Sequence, residues 1–304
     1  MSNLADRIDL PCDVEATSGA VKRLLRPKIT DLGGFSVRRV LPTKGQKMLG
    51  PWVFFDHMGP ASFPAGKGVN VRPHPHIGIA TVTYLFEGEI LHRDSLGNTQ
   101  AIRPGDINLM VAGRGITHSE RERPEITALP HRVHGLQLWL ALPEAQEEIE
   151  PAFYHYSDSR IPAVDVEGVA IRVMMGSAYG VTSPVVTFSE TLYIEADLKR
   201  GQKLILPAAQ EMGLYVASGS VSAESIEIPM HTMAVLEDSE KMTVVAREET
   251  RVAIIGGGRL SPRFMAWNFV ASRQDRIEEA KRHWQSGHFD KVVDDEIEFI
   301  PLPG

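Results

Sequence analysis

The chain has 304 residues, about twice the commonest domain size, and its 43% hydrophobic content with 4 tryptophans supports a real core and excludes a disordered or collagen-like polypeptide. With 32 basic against 39 acidic side chains the net charge is -7, and no Lys/Arg run makes a nucleic-acid footprint, so direct nucleic-acid binding is not expected. The single cysteine, Cys12, excludes an intramolecular disulfide or a thiolate metal cluster, fits a reducing compartment, and leaves histidine and carboxylate as metal ligands. Met1 to Cys12 interleaves Asp6, Arg7 and Asp9 with apolar residues, unlike a signal peptide, and no apolar run approaches the roughly 20 residues of a membrane span. A cytoplasmic protein with no membrane partner is the expectation.

The 26 glycines and 20 prolines punctuate short apolar runs throughout, the pattern of many strands joined by turns, which predicts an all-β fold. In chain order, Ile77 to Phe86 is rich in β-branched and aromatic residues and reads as a strand. Arg103-Pro-Gly-Asp106 is a turn signal before the short apolar run Ile107 to Val111. Leu136, Leu138, Leu140 and Leu142 alternate as in a strand, and the acidic residues from Glu144 to Glu150 read as a solvated linker. Gly256-Gly-Gly258 has no lysine behind it and no helix pattern after it, so it reads as a loop and not a phosphate cradle. One helix is predicted near the end: Ser272 with Asp275 resembles a capping box, Ile277, Ala280 and Trp284 recur at helical spacing, and Gly287 supplies the stop.

Tyr84-x3-Gly88-x-Ile90 reappears as Tyr215-x3-Gly219-x-Val221, which predicts two copies of one β-barrel unit with a boundary near Pro143 to Pro151. The expected units are residues 1–148 and 149–304, and two barrels of this size satisfy the length.

Four polar residues carry the chemistry. In Arg72-Pro-His74-Pro-His76 the two histidines are two apart in an extended segment, so both project from one face. His118 and Glu120, after the glycine-rich Ala112-Gly-Arg-Gly115, share a face for the same reason. Two such pairs on neighbouring strands converge on one cation with three neutral imidazoles and one carboxylate. A lone strand histidine is ordinarily a hydrogen-bonded or surface residue, and that is the reading for His92, His131, His134 and the solitary His231. His57 either lines a pocket or sits on a surface loop. Counting back from Tyr215 as from Tyr84 places Ile205 and Pro207 where the first unit has His74 and His76, so the second unit is expected to bind no metal.

Gly68-x5-His74-x-His76 followed by Gly88 is similar to the first cupin motif, and Gly105 through Gly115-x2-His118 to the second. More specifically, Phe54-Phe-Asp56, His74-Pro-His76, Tyr84-Leu-Phe-Glu-Gly88, Asn98, Pro104-Gly-Asp106, Ala112-Gly-Arg-Gly-Ile116, His118 and His134-Gly-Leu-Gln-Leu-Trp139 resemble the pirin family. The resemblance continues more loosely through Thr191-Leu-Tyr193, His231-Thr-Met-Ala-Val-Leu236 and Arg263-Phe-Met-Ala-Trp-Asn268. It implies two cupin barrels of the double-stranded β-helix type, with a non-haem iron in the amino-terminal barrel at His74, His76, His118 and Glu120. For bacterial members it also implies flavonol 2,3-dioxygenase activity of the quercetin-cleaving type, and for animal members an iron-dependent co-regulator of transcription. One departure is Ala80 and Thr81, which stand where the general cupin motif has a Glu three or four residues after its second His. The outer contact that carboxylate would give the metal shell is missing at those positions.

Four protein ligands complete a structural zinc site, whereas an octahedral iron on the same four keeps two positions open for substrate and O2. A flavonol bound there becomes more acidic at its hydroxyl, and Glu120 would serve both as ligand and, by shifting away, as the general base. The rival reading is a regulatory protein whose iron senses redox state and which acts through a protein partner. A cupin isomerase or a zinc structural site would need a basic phosphate-binding cluster or a closed centre, and neither is indicated.

Overall fold

The computed structural model describes residues 13–303 except 18, 33 and 238–241. Met1 to Cys12, with the amino-terminal reading and the single cysteine, lies outside the described residues.

The long central strands are apolar on both faces, and this sets the layering. On the strand His131–Ala141, Leu136, Leu138 and Leu140 point one way and Trp139 and Ala141 the other, and all five are buried. Such a strand must lie between two layers. The leucines pack with Tyr193, Tyr215 and Ala253 from the second half of the chain, while Trp139 and Ala141 join Phe54, Ile79, Met110 and Ile116 inside the first barrel. Two large sheets therefore stack face to face, each closed on its far side by a smaller sheet.

The seven-stranded sheet runs Ala152–Tyr156, Ile107–Val111, Ile79–Glu87, His131–Ala141, Trp52–Phe63, Ser36–Leu41, Lys28–Asp31. The eight-stranded one runs Asp13–Ala16, Val21–Arg26, Met233–Glu237, Glu211–Ser218, Thr250–Gly257, Thr191–Leu198, Val169–Met175, Ala163–Val166. The smaller sheets run Asn70–His76, Ile116–Arg121, Ile90–Asp94, Thr99–Ile102 and Lys203–Ile205, Thr243–Ala246, Val221–Ala223, Ile226–Ile228. From Ile107–Val111 and from Met233–Glu237 onward the large sheets have the same order, as have the small ones throughout. The repeat seen in the sequence is thus a repeat of two cupin barrels. Tyr84 and Tyr215 sit on equivalent strands, and Gly88 and Gly219 turn them at φ 92° and 75°. A side chain at either glycine would meet a backbone carbonyl at 2.4 or 2.3 Å, which explains the shared Tyr-x3-Gly spacing.

The barrels exchange their flanking segments. Val21–Arg26 pairs with Met233–Glu237 in the second sheet, and Ala152–Tyr156 pairs with Ile107–Val111 in the first, so each sheet takes strands from the other side of residue 148. The chain end returns to the first barrel, where Trp267, Phe269, Ile277, Ala280 and Ile300 pack on Val37, Met58, Leu85 and Ile90.

The predicted helix spans Gln274–Gln285 and ends where expected: Gly287 has φ 73°, its N–H donates to the Trp284 carbonyl and that of His288 to the His283 carbonyl, a Schellman closure. Its start differs from the expected capping box. Arg273 is the N-cap, and Ser272 donates its Oγ and backbone N–H to the Glu147 carboxylate at 2.6 and 2.9 Å. This also corrects the solvated-linker reading: Glu147 is buried, and Glu148 pairs with Arg276 at 2.7 Å, so the segment clamps the helix onto the first barrel. Gly256 and Gly257 belong to the strand Thr250–Gly257 and not to a loop. They are glycines because a Cβ at either would lie 2.6 or 2.1 Å from the carbonyl of Glu211 or Glu190. The Gly256 carbonyl and that of Leu192 accept from Trp52 Nε1 across the seam at 3.0 and 3.2 Å. No helix among the described residues is long and apolar enough to cross a membrane.

Candidate metal centre

His74 and His76 lie on the edge strand Asn70–His76, and proline governs that segment locally. Arg72 and His74 each precede a proline, which keeps them extended, and an edge strand tolerates the missing N–H groups. The neighbouring strand Ile116–Arg121 sets His118 directly opposite His74. All three imidazoles are buried, and their ligand nitrogens lie within 4.8 Å of one another. In the second barrel Ile205 takes the position of His74, and Thr243 is opposite it as His118 is opposite His74.

Glu120 is buried on the same strand as His118, with a register irregularity between the two. Its carboxylate feels His74 and His92 electrostatically, but it is not one of the groups that close to within 4.8 Å.

Two of the imidazoles are oriented by a hydrogen bond of the other nitrogen. His74 Nδ1 donates to the Arg72 carbonyl at 2.8 Å, and the His76 ring interacts with the Asn268 backbone carbonyl. His92 Nε2 lies 3.0 Å from Asp94 Oδ2; a proton on Nε2 makes His92 Nδ1 an acceptor, so His118 Nδ1 at 3.4 Å is the donor to it. These two backings leave Nε2 of His74 and His118 as the inward atoms, and these, like both ring nitrogens of His76, have no hydrogen-bond partner. Burial lowers the His74 pKa to about 3 and holds His76 and His118 well below the ordinary histidine value, so all three rings are neutral. Three neutral, buried, unpaired nitrogens facing one point fit a transition-metal cation.

An aromatic wall supports the centre. Trp139 meets His76 edge-on at 4.9 Å and stacks on Phe54 at 3.9 Å, and Arg39 lies 4.4 Å over Phe54 while paired with Asp56. Phe153 stacks on His92 at 4.4 Å.

Several histidines differ from expectation. His57 is fully buried on the strand Trp52–Phe63 and lies in the seam between barrels: Nδ1 meets Tyr215 Oη at 2.8 Å and Nε2 meets His134 Nε2 at 2.7 Å. Burial, followed by His134, lowers its pKa to about 2, so it is a neutral link between barrels and not a surface loop residue. His231 is not solitary, since its ring lies 5.3 Å from that of His57. His92 is a hydrogen-bonded histidine as expected, and its HxD spacing to Asp94 on one strand face is the sequence signal of that pair.

Two cupin barrels, one of which gathers three buried histidines on adjacent strands, define a bicupin. The chain belongs to the pirin family: residues 34–140 match the Pirin model and residues 193–290 the model of the pirin C-terminal cupin domain. It is 44% identical over 277 residues to a pirin-like protein of Caulobacter vibrioides, covering 90% of this chain and 96% of the relative. Pirin from Homo sapiens is 34% identical over 259 residues, covering 81% of this chain and 85% of the relative. Among solved structures, quercetin 2,3-dioxygenase from Acinetobacter baumannii superposes with a TM-score of 0.85 at 33% identity, covering 92% of this chain and 94% of that one.

Proposed function

We propose that this pirin-family protein is a non-haem iron dioxygenase that cleaves a flavonol of the quercetin type with O2, its iron held by His74, His76, His118 and Glu120. The observation that carries the reading is the set of three neutral imidazoles whose buried Nε2 atoms have no partner. The likeness to a quercetin 2,3-dioxygenase at 33% identity supports the substrate class. When bound, the cation supplies a Lewis-acid centre with positions left for small oxygen ligands.

The chain's own groups do the rest. Arg72 and the His92–Asp94 pair fix the imidazoles of His74 and His118 before any ligand arrives, which reduces reorganisation in the binding step. The buried aromatic wall of Trp139 and Phe54 keeps water from one side of the centre. Glu120 accepts the flavonol hydroxyl proton on its carboxylate, making the substrate electron-rich enough to meet O2. In the same proposal residues 1–148 hold the metal and residues 149–304 do not, because Ile205 and Thr243 replace two of the histidines.

The test is Glu120→Gln, assayed for iron content and for quercetin-dependent oxygen uptake. Retained iron with lost turnover is expected; full activity would overturn the role of Glu120.

A further inference from the structure

The rim of the inter-barrel seam carries a cleft of about 420 Å³ whose lining includes none of the metal-centre residues. The strand Thr191–Leu198 sends Leu192, Ile194 and Ala196 into the core of the second barrel, so Tyr193 and Glu195 face the first barrel. Glu195 lines the cleft at 5% exposure. Tyr193 Oη donates to its Oε1 at 2.6 Å, and its Oε2 has no partner. A buried carboxyl oxygen left in this way at the wall of a cavity marks a place for a ligand.

The neighbours decide which ligand. Burial is the main cause that raises the Glu195 pKa to about 8, so near neutral pH the group is a carboxylic acid. Oε1 accepts from Tyr193, which puts the acid proton on Oε2 as a donor. Arg251 meets Asp197 through Nε and Nη2 at 2.7 and 3.1 Å, leaving Nη1 for another acceptor. Tyr84 brings a hydroxyl from the first barrel, 3.5 Å from Arg172 Nη1. Asp165 and Asp197 balance the two guanidiniums of the lining, so the ligand is chosen by hydrogen bonding, and three donors suit acceptor oxygens. Ala163 and Ala170, on the same sheet face as Glu195, supply a small apolar wall.

We propose that this cleft binds a small monocarboxylate with an apolar body, its oxygens accepting from Glu195, Tyr84 and Arg251. Inter-domain seams are common places for such sites, and the volume suits a single-ring acid. Binding depends on pH through Glu195. The groups that face it are Tyr193 and Asp197 on its own strand, Arg172 and Arg251 on the two flanking strands, Tyr84 from the first barrel and Asp165 from the edge strand Ala163–Val166. Tyr84 is raised to about 12 and Tyr193 well above the tyrosine value, so neither changes charge between pH 7 and 9.

The experiment is calorimetric titration of the full chain with benzoate at pH 7 and pH 9. Ionisation of a carboxyl near 8 that excludes the ligand predicts about tenfold weaker binding at pH 9. Glu195→Gln, whose amide still donates, should bind with little change between the two pH values. Ala170→Phe, at an exposed position of the cleft wall, should abolish binding by filling it. His74→Ala should bind benzoate as the unaltered protein does. No heat up to millimolar benzoate, binding indifferent to Ala170→Phe, an unchanged pH slope in Glu195→Gln, or loss in His74→Ala would each overturn the proposal.

Discussion

The aromatic wall behind His76 rests on one buried ion pair, and Asp56→Asn is the perturbation that isolates it. Arg39 Nε and Nη2 meet Asp56 Oδ1 and Oδ2 at 2.8 and 2.7 Å, with the side chains 2% and 0% exposed. The same guanidinium lies over Phe54, which stacks on Trp139, which in turn meets His76. Asparagine keeps the shape but removes the charge, and it turns one acceptor into a donor that faces guanidinium donors. Breaking a buried pair from one side costs about 3–5 kcal/mol, a large share of the 5–15 kcal/mol that typically separates folded from unfolded. For a chain of this size that corresponds to a fall in Tm of roughly 5–10 °C. Urea denaturation followed by tryptophan fluorescence measures the loss, with Trp139 reporting from the wall itself. The double variant Arg39→Met/Asp56→Leu removes both charges and should recover most of the stability. A cost below about 1 kcal/mol for Asp56→Asn, or a double variant no better than the single, would refute the reasoning.

Other expectations follow from the same contacts. Burial opposes ionisation of Asp94, but hydrogen bonds from His92 and Asn98 hold its pKa below the usual value; Asp94→Asn therefore weakens the backing of His118 and should lower metal affinity about 10–100-fold in a chelator competition, with the circular dichroism spectrum unchanged. The folded pKa of Glu195, about 8, lies above its ordinary value of 4.5, so the folded state holds a proton that the unfolded state has released. Stability should then fall by about 1.4 kcal/mol per pH unit between those values, and denaturation midpoints of Glu195→Gln should lack that component. Gly78→Ala and Gly287→Ala separate crowding from backbone strain: both glycines have positive φ, but a Cβ at Gly78 lies 2.0 Å from the Val270 carbonyl while at Gly287 it meets nothing within 4 Å. Thermal unfolding should show a loss of about 1 kcal/mol for Gly287→Ala and several times that for Gly78→Ala.

What could be read before the fold was known depended on how far the physical cause lay along the chain. His74 and His76 were legible because strand alternation and the flanking prolines act over two residues. The two-barrel architecture was legible in Tyr84 and Tyr215 because each barrel needs the same turn after the same strand. Glu120 is expected in the ligand set from that same alternation, and the strand carries a register irregularity between it and His118. His57 was illegible because its partner Tyr215 is 158 residues away in the other barrel. Ser272 misled for a similar reason: a local capping pattern competes with Glu147, 125 residues away, and the distant carboxylate wins the hydroxyl. The glycines at 256 and 257 carry no turn signal at all, since they answer to the close approach of neighbouring backbones.

The most direct test of the account is elemental analysis joined to oxygen uptake with quercetin on a single preparation, for the unaltered protein and for His74→Ala. The account predicts about one iron per chain with quercetin-dependent uptake, and loss of both in His74→Ala. Zinc in place of iron, or iron with no uptake across several flavonols, would contradict it, and the latter result would make the centre a sensor.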